Sequence, residues 1–188
     1  SHHRVMVLEV MGRYAGWIAL ASGLAGGADV ILIPEIPYNM DSIVLKINQR
    51  SQKGKKFSII VVAEGARPHN GEMVVKKTVD DSPDPIRLGG IGDVIAEEVE
   101  KLTGKESRVT VLGHLQRGGS PTAFDRILAT RYGTEAANLV AKGKFGEMVS
   151  LQGPQICSVP LEMAIGELKQ VKPDNDMVKA ARKMGICL

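Results

Sequence analysis

The sequence predicts an α/β fold: three layers, with a mostly parallel sheet and helices on both of its faces. Three observations predict it. Short apolar, β-branched runs alternate with longer helical patterns along the 188 residues, which is the rhythm of βαβ units joined by right-handed crossovers. The runs end in glycine- or proline-marked turns, as at Met11-Gly12-Arg13 and at Gly113. No internal repeat or low-complexity linker interrupts them.

Taken in order, Val5 to Val10 reads as the first strand and Met11 to Arg13 as its turn. Ala15 to Ala25 is a small-residue helix carrying Trp17, Ile18, Leu20 and Leu24, stopped by Gly26-Gly27. Val30 to Ile33 is a second strand, ended by Pro34. Asp41 caps a helix that runs to about Gln52, with Ile43, Val44 and Ile47 on one face. Phe57 to Ala63 is a third strand. Glu64 to Leu88 has no period and holds Pro68, Pro83, Pro85 and the pair Asp80-Asp81, so it reads as loops with one short strand, Met73 to Lys76. Gly89-Gly90-Ile91-Gly92 lacks the preceding strand and the glycine spacing of a dinucleotide fingerprint. It reads instead as the entry to a helix over Gly92 to Leu102, capped by Gly104. Arg108 to Leu112 is the next strand, and its run Val109 to Leu112 reads as buried. Pro121 opens a long helical pattern, a helix from Ala123 to Ala141. Met148 to Leu151 reads as a strand, and Leu161 to Lys169 and Asn175 to Lys183 as helices.

Composition narrows the function classes. The chain is long enough for a domain with a real core, and 44% hydrophobic with 24% charged residues is an ordinary balance. A net charge of +3, with no basic run longer than Lys53-Gly54-Lys55-Lys56, does not suggest a nucleic-acid partner. A few placed cations suit an anionic metabolite better. Cys157 and Cys187 form no CxxC pair and no zinc-type spacing, so they read as free thiols of a reducing compartment. No apolar run reaches the length of a membrane span. Ser1-His2-His3-Arg4 is not the start of a signal peptide.

Two stretches carry chemistry. Val111-Leu112-Gly113-His114-Leu115-Gln116-Arg117-Gly118-Gly119-Ser120-Pro121 follows a strand, where ligands of open α/β sheets bind. His114 and Arg117 are donors for an anion, and Gly118-Gly119 lets the backbone approach it closely. Glu9-Val10-Met11-Gly12-Arg13-Tyr14-Ala15-Gly16 has the same logic, with Arg13 at the start of a helix. A purely structural reading stands beside each: glycine turns and proline-started helices are common connections. Met11 can fill a core, Glu64 can be a solvated turn acid, and Arg4 and Arg108 lie at strand starts where an exposed arginine is ordinary.

"EVMGR" after one strand and "GHLQRGGSPTAFDR" after a later one, about a hundred residues apart, resemble the sugar-phosphate site of bacterial-type 6-phosphofructokinases. The resemblance covers essentially the whole chain but matches the C-terminal part of the family's sequence. It therefore implies a fragment, incomplete relative to the two-lobed family fold. It implies that residues 1–115 form the fructose 6-phosphate-binding lobe. Residues 116–172 would belong to the nucleotide or donor lobe, and 173–188 would return to the first lobe. It also marks the Ser-His-x-Arg start as native, since members often carry one.

The resemblance implies the following roles. Met11, Gly12 and Arg13 match the sugar-contacting MGR, and Glu64 the acid that binds sugar hydroxyls. His114 and Arg117 match residues that grip the 6-phosphate and the sugar. Arg4 and Arg108 match arginines that reach a neighbouring subunit's site, which implies a homo-oligomer, dimer or tetramer, with shared sites. Asp29, Lys53 and Lys55 match an effector site between subunits in allosteric members, although a lysine cluster at a helix end also suits the dipole and solvent. Glu64-Gly65-Ala66-Arg67 is similar to the EGxR pattern of pyrophosphate-using and mixed-donor members.

No phosphate-binding loop of the form G-x-x-x-x-G-K-[ST] occurs here. The family's GGDG-type donor loop and the aspartate tract that supplies its base are also absent from this chain. The implied whole is a cytoplasmic, glycolytic, Mg²⁺-using transferase that phosphorylates the 1-hydroxyl of fructose 6-phosphate from ATP or pyrophosphate. No catalytic residue or metal ligand is expected in this chain, which alone would be inactive or nearly so. The alternative is a stand-alone sugar-phosphate-binding regulatory module without catalysis. An unrelated dinucleotide-dependent oxidoreductase would need a fingerprint the sequence lacks.

Overall fold

A computed structural model of the chain describes residues 4–78 and 86–188. These form two compact units: the residues up to Arg117 together with Gln170–Leu188, and Gly118–Lys169.

The first unit is built on a four-stranded, wholly parallel sheet. Its strands are β1 (Arg4–Val10), β2 (Val30–Leu32), β3 (Phe57–Ala63) and, later in the chain, the strand Ser107–Val111. The order places β3 and β1 in the middle, β2 at one edge and Ser107–Val111 at the other. The strands are rich in β-branched residues, and the inner ones are largely apolar on both faces, as a parallel sheet covered on both sides requires, with Glu9 and Ser58 as buried polar residues among them. Val5, Val7, Ile60 and Val62 face α2 (Met40–Gln52) and α3 (Ile91–Thr103) through Ile43, Ile47, Ile91, Ile95 and Val99. Val10, Ile31, Val61 and Ala63 face the other way, onto Ala19 and Leu20 of α1 (Trp17–Ala25) and onto Val178 and Ala181 of the last helix, Asp176–Lys183. Three layers result, with an apolar core on each side of the sheet.

Several expectations need correction. The cap of α2 is Asn39, whose side-chain oxygen accepts the Asp41 N–H at 2.7 Å; Asp41 sits in the first turn, where its charge suits the helix dipole. The strand Ser107–Val111 is not a buried one. It lies at the sheet edge, and Val111 is 54% exposed. The proline-rich stretch holds two short strands, β4 (Val75–Thr78) and β5 (Ile86–Leu88), paired antiparallel. Asp80-Asp81, Pro83 and Pro85 lie outside the described residues, as do Ser1, His2 and His3. With these the edge strand Ser107–Val111 becomes β6. The two-residue turn that starts α3 matches its reading, with Gly90 at a φ of 86° as N-cap.

In the second unit α4 (Ala123–Ala141) starts after Pro121, at a Thr122–Asp125 capping box. It packs on a hairpin of β7 (Glu147–Gln152) and β8 (Gln155–Pro160). The second arm of that hairpin was not legible: Gln155, Cys157 and Ser158 dilute its apolar residues. Only the Gly153-Pro154 pair, with Gly153 at a φ of 59°, signals the turn. The helix that follows, α5, covers Leu161–Ile165 rather than reaching Lys169, and Gly166 caps it. The last helix of the first unit is α6.

Candidate functional site

Parallel strands deliver their following loops to one end of a sheet. Three loops meet here. Met11-Gly12-Arg13 follows β1, Glu64-Gly65-Ala66-Arg67 follows β3, and a 3-10 turn, Gly113–Arg117, follows β6. Backbone bonds join them: Glu64 N–H to the Val10 carbonyl at 2.9 Å, Gly65 N–H to the Gly12 carbonyl at 3.1 Å, and Leu112 N–H to the Glu9 carbonyl at 3.1 Å. Side chains add more. The Gly12 N–H donates to Glu64 Oε1 at 3.4 Å and the Met11 N–H to Gln116 Oε1 at 3.2 Å. Gln116 Nε2 donates to the Gly113 carbonyl at 3.1 Å. Gly12 has a φ of 144°, open to glycine but strained for other residues.

A cleft of about 210 Å³ opens at this end, lined by Arg13, Tyr14, Gly65, Arg67 and Gln170. The Arg13 guanidinium carbon lies 5.7 Å from the Tyr14 ring centroid. Two guanidinium side chains around one cleft suit a polyanion, because each presents a planar fork to phosphate oxygens.

One expectation about this loop is corrected. Arg13 does not sit at a helix start. Helix α1 begins at Trp17, and the amide of its N-cap, Gly16, donates to both carboxylate oxygens of Glu35, at 3.0 and 3.1 Å. Glu35 also accepts the Val171 N–H at 2.8 Å. An anion here meets the Arg13 side chain rather than the Gly16 amide.

Thus Met11, Gly12, Arg13, Glu64, His114 and Arg117 lie on loops at one end of the sheet. His114 and Arg117 are exposed. Arg4 and Arg108 stand at the opposite end, at the strand starts. Both reach the carboxylate of Glu106, Arg4 Nε at 2.7 Å and Arg108 Nη2 at 2.9 Å. Hydrogen bonds from Arg4, then from Arg108, hold the Glu106 carboxyl below its ordinary range. At about 3.3 Å per residue, β1 alone separates Arg4 from the Met11 loop by roughly 20 Å. Within one copy, the two groups cannot meet one sugar phosphate.

Asp29, Lys53 and Lys55 also lie at the strand-start end. The Asp29 carboxylate is buried; Oδ1 pairs with Arg50 Nη1 at 2.7 Å and Oδ2 accepts the Ile59 N–H at 2.9 Å. Lys53 and Lys55 are exposed, and Lys55 shares a shallow basic recess with Arg4, Lys56 and Lys105. Among the described residues, no group of three or more His, Cys, Asp and Glu gathers as a metal cage, and no helix is long and apolar enough to cross a membrane.

Sequence reasoning passed over Arg67, Glu35 and Gln116. Arg67 was visible as the last residue of the EGAR turn. Glu35 carried only the weak signal of an acid after the strand-ending Pro34. Gln116 lay inside the stretch from Val111 to Pro121, but a single amide among donors shows no period.

Residues 1–140 match the sequence family described as Phosphofructokinase. The chain is 58% identical over 187 residues to an ATP-dependent 6-phosphofructokinase of Chloroflexus aurantiacus, covering 99% of this chain and 50% of that protein. It is 56% identical over 172 residues to a pyrophosphate–fructose 6-phosphate 1-phosphotransferase of Amycolatopsis mediterranei, covering 91% of this chain and 50% of that one. The crystal structure of a pyrophosphate-dependent phosphofructokinase from Marinobacter aquaeolei aligns with a TM-score of 0.75 at 25% identity, over all of this chain and 49% of its own. The chain spans about half the length of the curated relatives it matches.

Proposed function

This chain belongs to the phosphofructokinase family, and we propose that it is the C-terminal, fructose 6-phosphate-binding part of a 6-phosphofructokinase. The whole enzyme transfers a phosphoryl group from ATP or pyrophosphate to the sugar's 1-hydroxyl, giving fructose 1,6-bisphosphate in glycolysis. The observation that carries this reading is the meeting of the Met11–Arg13, Glu64–Arg67 and Gly113–Arg117 loops at one end of the sheet, where Arg13 and Arg67 of the first two line a cleft.

The chemistry follows from charge. The sugar's phosphate bears close to two negative charges at neutral pH. Arg13 and Arg117 offer bidentate forks and His114 a further donor, while the Glu64 carboxylate accepts from a sugar hydroxyl. Catalysis of phosphoryl transfer is mostly positioning and charge stabilisation. This chain supplies the acceptor's position; the donor loop and the base lie outside it, so it is inactive or nearly so by itself. Mg²⁺ would supply positive charge beside the donor's phosphates, and among the described residues of this chain no carboxylate cluster would hold it. Relatives named for either donor resemble the chain about equally.

Oligomerisation is part of the reading. Arg4 and Arg108 lie too far from Arg13 in one copy and serve a second copy's site. In support, the sheet face beside them is uncovered where Met6, Leu8, Phe57 and Ile59 line a groove of about 290 Å³. Of the effector residues Asp29, Lys53 and Lys55, the exposed lysines suit an anion, supported by the basic recess at Lys55, whereas the Asp29 carboxylate is buried on Arg50 and ties β2 to β3. We place the enzyme in the cytoplasm. The exposed Phe124, Ile127 and Val140 of α4 favour the enzyme over a stand-alone module, because an apolar face of this kind needs more protein to cover it.

Calorimetric titration with fructose 6-phosphate tests the site. Arg13→Ala and Arg117→Ala each remove a charge-assisted phosphate contact, so affinity falls about ten- to a hundredfold. A folded, assembled protein that ignores fructose 6-phosphate would sink the assignment.

A further inference from the structure

Resting on that reading, we infer that Gln116 is a positioning residue that joins the two phosphate-gripping loops before substrate arrives. Of residues 114–117, His114, Leu115 and Arg117 are exposed and only Gln116 turns inward. Its amide uses both ends. Oε1 accepts the Met11 N–H at 3.2 Å, and Nε2 donates to the Gly113 carbonyl at 3.1 Å. One side chain thus ties the loop after β1 to the turn after β6, across 105 residues of sequence.

The chemistry explains why the position suits glutamine. The turn Gly113–Arg117 has no buried residue, so little apolar burial of its own fixes its place over the sheet. The Met11 amide has passed the last β1–β6 ladder pair, Glu9–Val111, and that ladder does not hold it. A group that accepts from one loop and donates to the other satisfies both with one side chain. A carboxylate in its place would lose the donor and add a negative charge beside a phosphate site. Arg13 lies two residues from Met11, and His114 and Arg117 flank Gln116. Removing the bridge therefore lets the two sets of cations drift apart, and binding must then restore their spacing, at a cost in affinity.

The test uses the complete protein that carries this chain, with Gln116→Met as a near-isosteric variant and Gln116→Asn as a polar one with shorter reach. In the wild type without ligand, the Met11 amide is protected from hydrogen exchange; in Gln116→Met the protection is lost. The KM for fructose 6-phosphate rises about tenfold, the KM for the phosphoryl donor and kcat stay within about twofold, and the melting temperature barely moves. Gln116→Asn, which cannot span both loops, shows the same KM split. A KM for fructose 6-phosphate that stays put while Met11 loses protection overturns the inference, and so does a fall in kcat, both KM values and stability together. If Gln116→Met does not fold, an unprotected Met11 amide in the ligand-free wild type overturns it equally. A wild type that does not phosphorylate fructose 6-phosphate overturns the functional reading itself, which the variant outcomes do not.

Discussion

The α-carbon of Gly65 faces the Arg13 backbone so closely that a methyl group added to it would stand 1.8 Å from the Arg13 carbonyl oxygen and 2.6 Å from its carbonyl carbon. The loop after β3 therefore presses main chain against main chain on the loop after β1. Gly65→Ala must push the Arg13 loop aside, since backbone cannot rotate away as a side-chain tip can. Overpacking of this kind costs about 1–3 kcal/mol. The urea midpoint should fall accordingly, and fructose 6-phosphate affinity should drop with it. A variant with unchanged stability and affinity would mean that the two loops part freely.

Glu9 is a buried acid, 3% exposed, beneath the same site. Its carboxylate accepts the Gly90 N–H at 3.3 Å and the Gly92 N–H at 2.8 Å, at the start of α3, where a negative charge is favoured. Glu9→Gln turns one acceptor into a donor facing an N–H. The loss is about 1–3 kcal/mol, read from denaturant unfolding, with faster hydrogen exchange at Gly92. An unmoved Gly92 amide would show that Glu9 does not hold the helix start.

If Arg4 serves a second copy, Arg4→Ala and Arg13→Ala alone each lower fructose 6-phosphate turnover about ten- to a hundredfold at subsaturating sugar. Mixed by reversible unfolding, they restore activity, because one site of each mixed pair has both arginines. For a two-fold pair assembled at random the recovery is about a quarter of the wild-type rate. No recovery in mixtures that do assemble would place Arg4 outside the shared site.

Tyr38 packs in the core that backs the Glu64–Arg67 turn, and its amide donates to the Arg67 carbonyl at 3.0 Å. Burial, with a smaller push from Glu98, raises its phenol from 10.0 to about 12. The raised value belongs to the folded state, so the unfolded chain loses the proton first as pH rises. The stabilisation is fully present below about pH 10 and is lost as pH climbs to about 12. Absorbance titration should find one of the three tyrosines ionising late, and Tyr38→Phe should flatten the loss of stability in that window. A loss as steep in Tyr38→Phe would assign it to other groups.

Much of the scaffold was legible because it is local. Phe57 to Ala63 is a strand over the residues read as one, and Ala123 to Ala141 is the helix its pattern described. β-branched runs mark a strand, and a proline-led start followed by helix formers marks a helix, on consecutive residues whatever surrounds them. The two glycine turns after β1 and β6 were legible for the same reason. The edge exposure of β6 was not, because which strand lies outermost depends on the order of crossovers, not on the strand's own residues. Nor was the β8 arm, whose polar residues hide its alternation.

The sequence by itself determined most of the strands and helices of the first unit, the long helix α4, and the two cation-bearing stretches that carry the family likeness. Tertiary structure alone decided which of those cations share an end of the sheet. It placed Arg4 and Arg108 on Glu106, away from Arg13, and bound Glu35 to Gly16 and Val171, and Gln116 to Met11. The physical reason is that a hydrogen bond needs its partners about 3 Å apart, and sheet order brings together residues a hundred or more apart in sequence. A polar side chain's local sequence does not record which distant amide that order will set beside it.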